Sequence, residues 1–429
     1  MRIEDYIPFV GKETVEEIKS ISENLKDYEI LHINSTYIGG GVAELLRSIV
    51  PLMNSIGLRT EWKIIQGDDE FFKITKNFHN AIHGENIEIS QNMINKYLEV
   101  NKVNSELINL DKDFVFVHDP QPLALIQYKK NGKWLWRCHI DISNPNQNLW
   151  NFLIKLISKY DGMIVHLPEY KRQDYIGPQF IVPPSIDPLS EKNIELPEDY
   201  IEDTLRKYDI DPERPIITQV SRFDKLKDPI GVIKAFELAK SRIRMIDFHG
   251  LLDEKKFAVD IFRILKYKEV LQLVLVGGLA SDDPEGEKIF YETIKKATND
   301  RNVHVLLLPS DAHKEINAIQ RGSTIIIQKS IKEGFGLTVT EGMWKGKPVI
   351  GGKTGGIKYQ IIDGETGFLV SNIREAAEKI LYLIRNPDIR NKMGEKAKEH
   401  VRKNFLITRQ LRDYLKILKI LKELPLSSS

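Results

Sequence analysis

Two successive series of short apolar runs, each followed by a longer amphipathic stretch, organise this chain and leave few folds open to it. A strand buried on both faces reads as a continuous apolar run, and its crossover helix as a one-sided one, so the alternation is that of βα units around parallel sheets. In the first series Glu29 to Asn34, Glu61 to Ile65, Phe114 to His118, Trp134 to Ile140, Met163 to His166 and Phe180 to Val182 read as strands, with a helix from about Val42 to Ile56. The second runs through Ile216 to Val220, Leu271 to Val276, Val303 to Leu307, Thr324 to Gln328 and Pro348 to Gly351. Between them, Pro183-Pro184 and the acidic, proline-spotted stretch from Asp187 to Pro215 carry no strong periodicity and mark a linker. The expected organisation is α/β throughout: a domain over 1–187, a linker over 188–215, a domain over 216–405, and a last helix in 406–429. That helix, about Thr408 to Leu421, has nothing after it to pair with and is free to cross back to the first domain. Arg242 to Lys268 is long for one crossover and reads as a helical insertion. The length, 429 residues, is too great for one ordinary core and fits two domains.

Charge and composition narrow the partners. The formal net charge is +1, so no whole-molecule field draws the chain to nucleic acid or to an anionic membrane. Hydrophobic residues at 41% and charged residues at 29% are the balance of a globular protein in water. No apolar run approaches the ~18 residues that a membrane span needs. The one cysteine, Cys138, excludes an internal disulfide and a cysteine zinc cluster. With no basic and apolar leader after Met1, the expected location is the cytoplasm. Homo-oligomer formation is left open.

Three segments carry chemistry. Gly39-Gly40-Gly41 follows a strand and opens a helix, where glycines let a backbone approach a ligand and free helix amides suit an anion. It is not the dinucleotide fingerprint, whose third glycine would stand where Glu44 is, and a plain tight turn explains it equally well. Arg222 and Lys227 stand just past the strand Ile216 to Val220, at the strand end where open α/β sheets bind ligands. Two cations there can neutralise a diphosphate and stabilise it as a leaving group, although surface bases on a loop are the commoner case. Glu333 and Glu341 lie eight apart around Gly334-Phe335-Gly336, with a helix starting near Leu337-Thr338 that points its positive end at the turn. One carboxylate can reach a sugar and the other a ribose, with the diphosphate between.

The Arg222 and Lys227 pair with the Glu333 and Glu341 pair resembles the donor site of glycogen-synthase-like retaining glycosyltransferases of GT-B fold. His32 to Glu44, Val117 to Pro122, Trp136 to Asp141 and Met343 to Gly351 resemble, more narrowly, the archaeal trehalose glycosyltransferring synthases, and retaining trehalose phosphorylases share much of the pattern. The resemblance spans nearly the whole chain. It departs where the family shows Pro-Trp-Lys-Gly and this chain has Lys225-Leu226-Lys227-Asp228, and at the Arg242 to Lys268 insertion. It implies two Rossmann-like domains facing across a cleft, the first for the acceptor and the second for a nucleotide-sugar donor. Arg222 and Lys227 would hold the diphosphate, helped by amides near Gly40, Leu337 and Thr338. Glu341 would bind the ribose, Glu333 the donor glucose, and His139 would stand beside the anomeric carbon against the sugar's 6-hydroxyl. Asn34, Asp119 and Gln121 would meet the acceptor sugar, although Asp119-Pro120-Gln121-Pro122 reads equally well as a turn and a lone histidine after a strand is usually structural.

Other motifs fall away. Gly352-Lys353-Thr354 ends like a phosphate-binding P-loop but lacks its first glycine, the position being Lys347. Asp111-Lys112-Asp113 and Asp209-Ile210-Asp211 precede strands and so sit at the wrong sheet edge for a catalytic metal. No tightly bound metal or cofactor is expected, with a divalent ion acting at most as a stimulant. The expected reaction joins glucose from ADP- or UDP-glucose to free glucose, reversibly and with retention, giving trehalose. A trehalose phosphorylase and an inactive nucleotide-sugar sensor are the alternatives, and a nicotinamide dehydrogenase is disfavoured by the missing fingerprint.

Overall fold

A computed structural model of the chain describes residues 2–37, 40–246, 271–278 and 284–424. It divides into two compact units, 1–187 with 405–429 and 188–404. The stretch 188–215 belongs to the second unit and carries a helix, Glu198–Lys207, whose Leu205 is buried. Gly39 and the insertion beyond Ile246 lie outside the described residues, and Arg242 to Ile246 end the helix Pro229–Ile246.

The first unit is built on β1 (Glu29–Asn34), β2 (Arg59–Ile64), β3 (Phe114–His118), β4 (Lys133–Arg137), β5 (Gly162–Val165) and β6 (Gln179–Ile181) in the order β2-β1-β3-β4-β5-β6. All of these pairings are parallel. Alternation sorts the side chains between the two faces. Leu31, Ile33, Val115, Val117, Trp134, Trp136, Met163 and Val165 enter one core. On the other face His32 and Phe116 stack at 4.5 Å, and Tyr414 of the helix Ile407–Glu423 lies 5.1 Å from Phe116. That terminal helix buries Leu411, Tyr414, Leu415, Leu418 and Leu421 at helical spacing, and Ile186 bridges to Leu406 just before it. β4 stops at Arg137, short of the expected Ile140, because the next ladder amide is taken elsewhere: His139 N–H donates to the Asp119 carboxylate at 2.8 Å.

The second unit carries β7 (Ile216–Val220), β8 (Gln272–Gly277), β9 (Val303–Leu307), β10 (Ile325–Gln328), β11 (Val349–Gly352) and β12 (Gly367–Val370), again parallel, in the order β12-β11-β10-β7-β8-β9. β12 went unread in the sequence. It is four residues long and opens on Gly367, where a Cβ would stand 2.3 Å from the Val349 carbonyl oxygen. Two parallel sheets of this kind make the fold GT-B. Among the described residues no helix is long and apolar enough to cross a membrane.

Candidate active site

Lys227 and Glu333 reach one place from two neighbouring strands. β7 pairs with β10, Ile217 opposite Ile325, while β8 continues on one side and β11 on the other. The lateral course of the chain reverses there, and open α/β sheets bind ligands in a crevice outside the carboxyl ends of the strands at such a reversal. Asp224 accepts from the Leu226 amide at 2.7 Å and starts a short turn over Lys225–Lys227. The Ile331 amide donates to the Leu226 carbonyl at 2.7 Å and ties the two loops together. Lys227 Nζ then donates to Glu333 Oε2 at 2.6 Å, and Ser330 Oγ to the same oxygen at 3.1 Å. Both partners are mostly out of water, so this pair is tighter than a surface bridge. Arg222 is exposed, and its side chain bonds to no described residue.

Asp228, in place of the family's glycine, keeps the turn that a glycine would make. Its φ of 51° and ψ of 50° are left-handed, a conformation aspartate tolerates better than most residues. Its carboxylate accepts from the Gly231 amide at 3.0 Å and pairs with Lys329. The second glycine-rich turn is as constrained. Gly336 has φ 86°, and the helix Leu337–Trp344 starts at the next residue, so the amides of Leu337 and Thr338 have no acceptor within it. Gln360 Nε2 donates to the Phe335 carbonyl at 2.6 Å. The Gly334 carbonyl accepts from the Gly356 amide at 3.2 Å, where a Cβ on Gly356 would stand 2.4 Å from Phe335 Cα.

Glu341 is buried on that helix, with Lys192 Nζ at 3.7 Å and Gln320 Nε2 donating at 3.4 Å. Lys345, one turn on, is also buried and donates to Asn193 Oδ1 at 3.2 Å and to the Glu341 carbonyl at 3.3 Å. Burial pushes its ammonium down to about 7, against the pull of Glu341. Sequence reading missed Lys192, Asn193 and Lys345. The first two lie in a stretch without periodicity, whereas Lys345 was findable from its spacing to Glu341.

The first sheet reverses between β1 and β3, and its predicted residues stand at the ends of those strands. Asn34 ends β1 with its amide already used: Nδ2 donates to the Thr36 carbonyl and Oδ1 accepts from Trp62 Nε1, each at 2.8 Å. Gly40 and Gly41 open the helix Gly40–Ser55. Asp119 follows β3 with φ 64°, and its carbonyl accepts from Trp136 Nε1 at 3.0 Å. Burial pushes its carboxyl up to about 7, opposed by the His139 amide and the Arg137 charge. Gln121 Oε1 is buried and accepts from no described residue.

His139 is not alone. Its Nε2 lies 3.0 Å from His118 Nδ1 and its Nδ1 3.2 Å from His166 Nε2, while His118 Nε2 lies 3.0 Å from His32 Nδ1. Burial, then the Arg137 charge and His166, hold His139 well below the ordinary histidine range. The rejected Asp111-Lys112-Asp113 has an architectural place: Lys112 Nζ holds Glu29 and Glu61 at 2.9 Å each, and Asp113 accepts from the Glu29 amide at 2.7 Å. Among the described residues no group of three or more His, Cys, Asp or Glu side chains is placed to hold a metal.

Comparison with known proteins agrees across both units. Residues 32–172 match the trehalose synthase N-terminal domain family, and residues 201–400 match glycosyl transferases group 1. A trehalose synthase of Pyrococcus horikoshii is 49% identical over 98% of this chain and 96% of its own length. One of Thermococcus litoralis is 47% identical over 97% and 96%. Among solved structures, a UDP-forming α,α-trehalose-phosphate synthase of Burkholderia xenovorans superposes with a TM-score of 0.69 at 14% identity, covering 92% of this chain and 100% of that one.

Proposed function

Because the chain belongs to the trehalose synthase family of group 1 glycosyltransferases, we propose that it transfers glucose from ADP- or UDP-glucose to free glucose, with retention and reversibly, to give trehalose. The observation that carries this reading is the Lys227–Glu333 pair at the β7/β10 reversal, beside the opening amides of the helix Leu337–Trp344. Lys227 and Arg222 take the donor diphosphate, together with the amides of Leu337 and Thr338 and the Gly39-Gly40-Gly41 turn. Gly334, Phe335 and Gly336 shape the turn that opens the helix Leu337–Trp344. Glu333 orients Lys227 and binds the donor glucose, and Glu341 binds the ribose. His139 meets the 6-hydroxyl. Asp119 and the unpaired Gln121 Oε1 receive the acceptor, with Asn34 beside them.

In the step itself the bond from the anomeric carbon to the phosphate oxygen breaks as the bond to the acceptor oxygen forms. The transition state is oxocarbenium-like, and the nucleoside diphosphate gathers negative charge that fixed cations and amides stabilise. The acceptor's proton passes to the leaving phosphate oxygen on the same face. The charge a metal would supply comes from Arg222, Lys227 and the helix amides, so no tightly bound cofactor enters the scheme. The expected place of action is the cytoplasm.

The experiment gives purified protein ADP-glucose or UDP-glucose with glucose and reads the product by proton NMR. A small anomeric coupling and no reducing end identify the α,α-linked disaccharide, and part of the activity is expected to survive a chelator. A β-linked product, or free glucose as the only sugar released with every acceptor, would sink the proposal. Phosphate-dependent breakdown of trehalose without nucleotide would select the phosphorylase instead, against the expected ribose contact of Glu341.

A further inference from the structure

A buried hydroxyl stands behind the Lys227–Glu333 pair. Ser330 Oγ donates at 3.1 Å to Glu333 Oε2, the oxygen that Lys227 Nζ already holds at 2.6 Å, and Gln328 Nε2 donates to Ser330 Oγ at 3.1 Å. Gln328 ends β10 and is buried, as is Ser330. The last member settles the direction of this relay. A carboxylate oxygen accepts and does not donate, so Ser330 spends its one proton on Glu333, and its own oxygen then accepts from Gln328. With the Gln328 amide reversed, its Oε1 and Glu333 Oε2 would compete for that one proton.

The relay carries a cost that packing does not explain. Gln328 Oε1 is buried and accepts from no described residue. After Ile325-Ile326-Ile327, an apolar side chain of the same length would fill the space and leave no bare acceptor. The other half of the pair is braced in the same way from β7. Gln219, also buried, donates Nε2 to the Lys227 carbonyl at 2.7 Å, and its Oε1 accepts from no described residue. Lys227 by itself would orient Glu333 poorly, because an ammonium on a flexible stem accepts many directions of approach. Ser330 supplies a fixed second donor. Its backbone lies so close to β11 that a Cβ on Gly352 would stand 2.3 Å from the Ser330 carbonyl oxygen. Both bonds go to Oε2, and Oε1 bonds to no described residue.

We propose that Gln328 and Ser330 are positioning residues for the transfer: they hold Glu333 Oε2 against Lys227 and so keep Oε1 for a hydroxyl of the donor sugar. The inference rests on the donor-site role given to Glu333 above.

A double-substitution cycle on the full chain tests it, with turnover from the NMR assay and affinities from isothermal titration without acceptor. Gln328→Met and Ser330→Ala should each lower kcat about tenfold and leave the Kd for ADP or UDP within about twofold. Gln328→Met should melt within about 3 °C of the unsubstituted chain, since it removes a bare acceptor along with the bond. Ser330→Thr, which keeps the hydroxyl, should recover most of the turnover. Added to Glu333→Ala, either loss should shrink below about twofold, because both act through that carboxylate. A further tenfold loss in that background, or full turnover in Gln328→Met, overturns the inference. A chain that binds UDP-glucose or ADP-glucose but forms no disaccharide would fail the proposed function alone. The cycle is then read on the Kd for that nucleotide sugar: a weakening by Ser330→Ala that vanishes beside Glu333→Ala upholds the inference, and no weakening overturns it. A chain that binds neither nucleotide sugar overturns both.

Discussion

Removing the Lys227 ammonium takes a cation from the crevice and leaves Glu333 a mostly buried carboxylate without it, at the point where a diphosphate would arrive. Lys227→Ala should therefore lower kcat by roughly 10²- to 10³-fold, the usual loss for one group aimed at developing charge, and weaken ADP or UDP binding far less. Glu341→Ala should do the reverse, raising the nucleotide Kd and sparing turnover at saturation. Isothermal titration beside steady-state kinetics reads both, and matching effects of the two substitutions on nucleotide binding would contradict the division of roles. The spacing of Arg222, Lys227, Glu333 and Glu341 was legible because the first three follow strand ends and Glu341 lies within the helix that comes after Glu333. The partners Lys192 and Asn193 were not, since they meet Glu341 and Lys345 across more than a hundred residues of chain. Asp228 departs in sequence from the family's glycine, yet it takes up the left-handed backbone that glycine favours and adds bonds to Gly231 and Lys329.

The histidine row belongs to the sheet and to no one residue of it, which is why single histidines after strands gave no sign of it. Strand order alone brings β1, β3, β4 and β5 side by side, and that order is long-range information. The same burial makes the first unit sensitive to acid. It holds the His32 imidazole down to about 3, and His118, His139 and His166 well below the ordinary range, so the folded unit stays neutral where unfolded histidines take up protons. Their stabilising contribution is full above the unfolded value of about 6.5 and is lost as pH falls towards the folded values. Asp119 has the opposite sign. Its carboxyl, pushed up to about 7, is protonated in the fold and ionised when unfolded, so its share declines as pH rises from about 4 to 7. At roughly pH 5 to 6, unfolding of this unit should therefore take up protons, because the four histidines gain them while Asp119 releases one. Urea midpoints should fall steeply from pH 7 to pH 5, and a flat profile over that interval would mean that the row is charged in the folded state.

At the scale of the whole molecule, the second unit is one uninterrupted stretch and the first is not. The Ile186 amide donates to the Phe405 carbonyl and the Ile407 amide to the Ile186 carbonyl, both at 2.9 Å, while Tyr6 Oη holds Asp187 at 2.9 Å. The two cut ends of the first unit thus lie together, and a chain joining Asp187 to Phe405 through a short glycine–serine linker should fold with a single cooperative transition. Residues 1–187 alone, lacking Tyr414 and the apolar face of the helix Ile407–Glu423, should not. Comparable cooperative melting of the two pieces would remove the terminal helix from the first unit's core. The break in sequence also has a meaning on the ribosome. Synthesis delivers all six strands of the first sheet before residue 188 and their covering helix only after residue 404, so at ~5–20 residues per second the face bearing His32 and Phe116 waits roughly 10–40 s for its lid. The second unit, later in the message, is complete first.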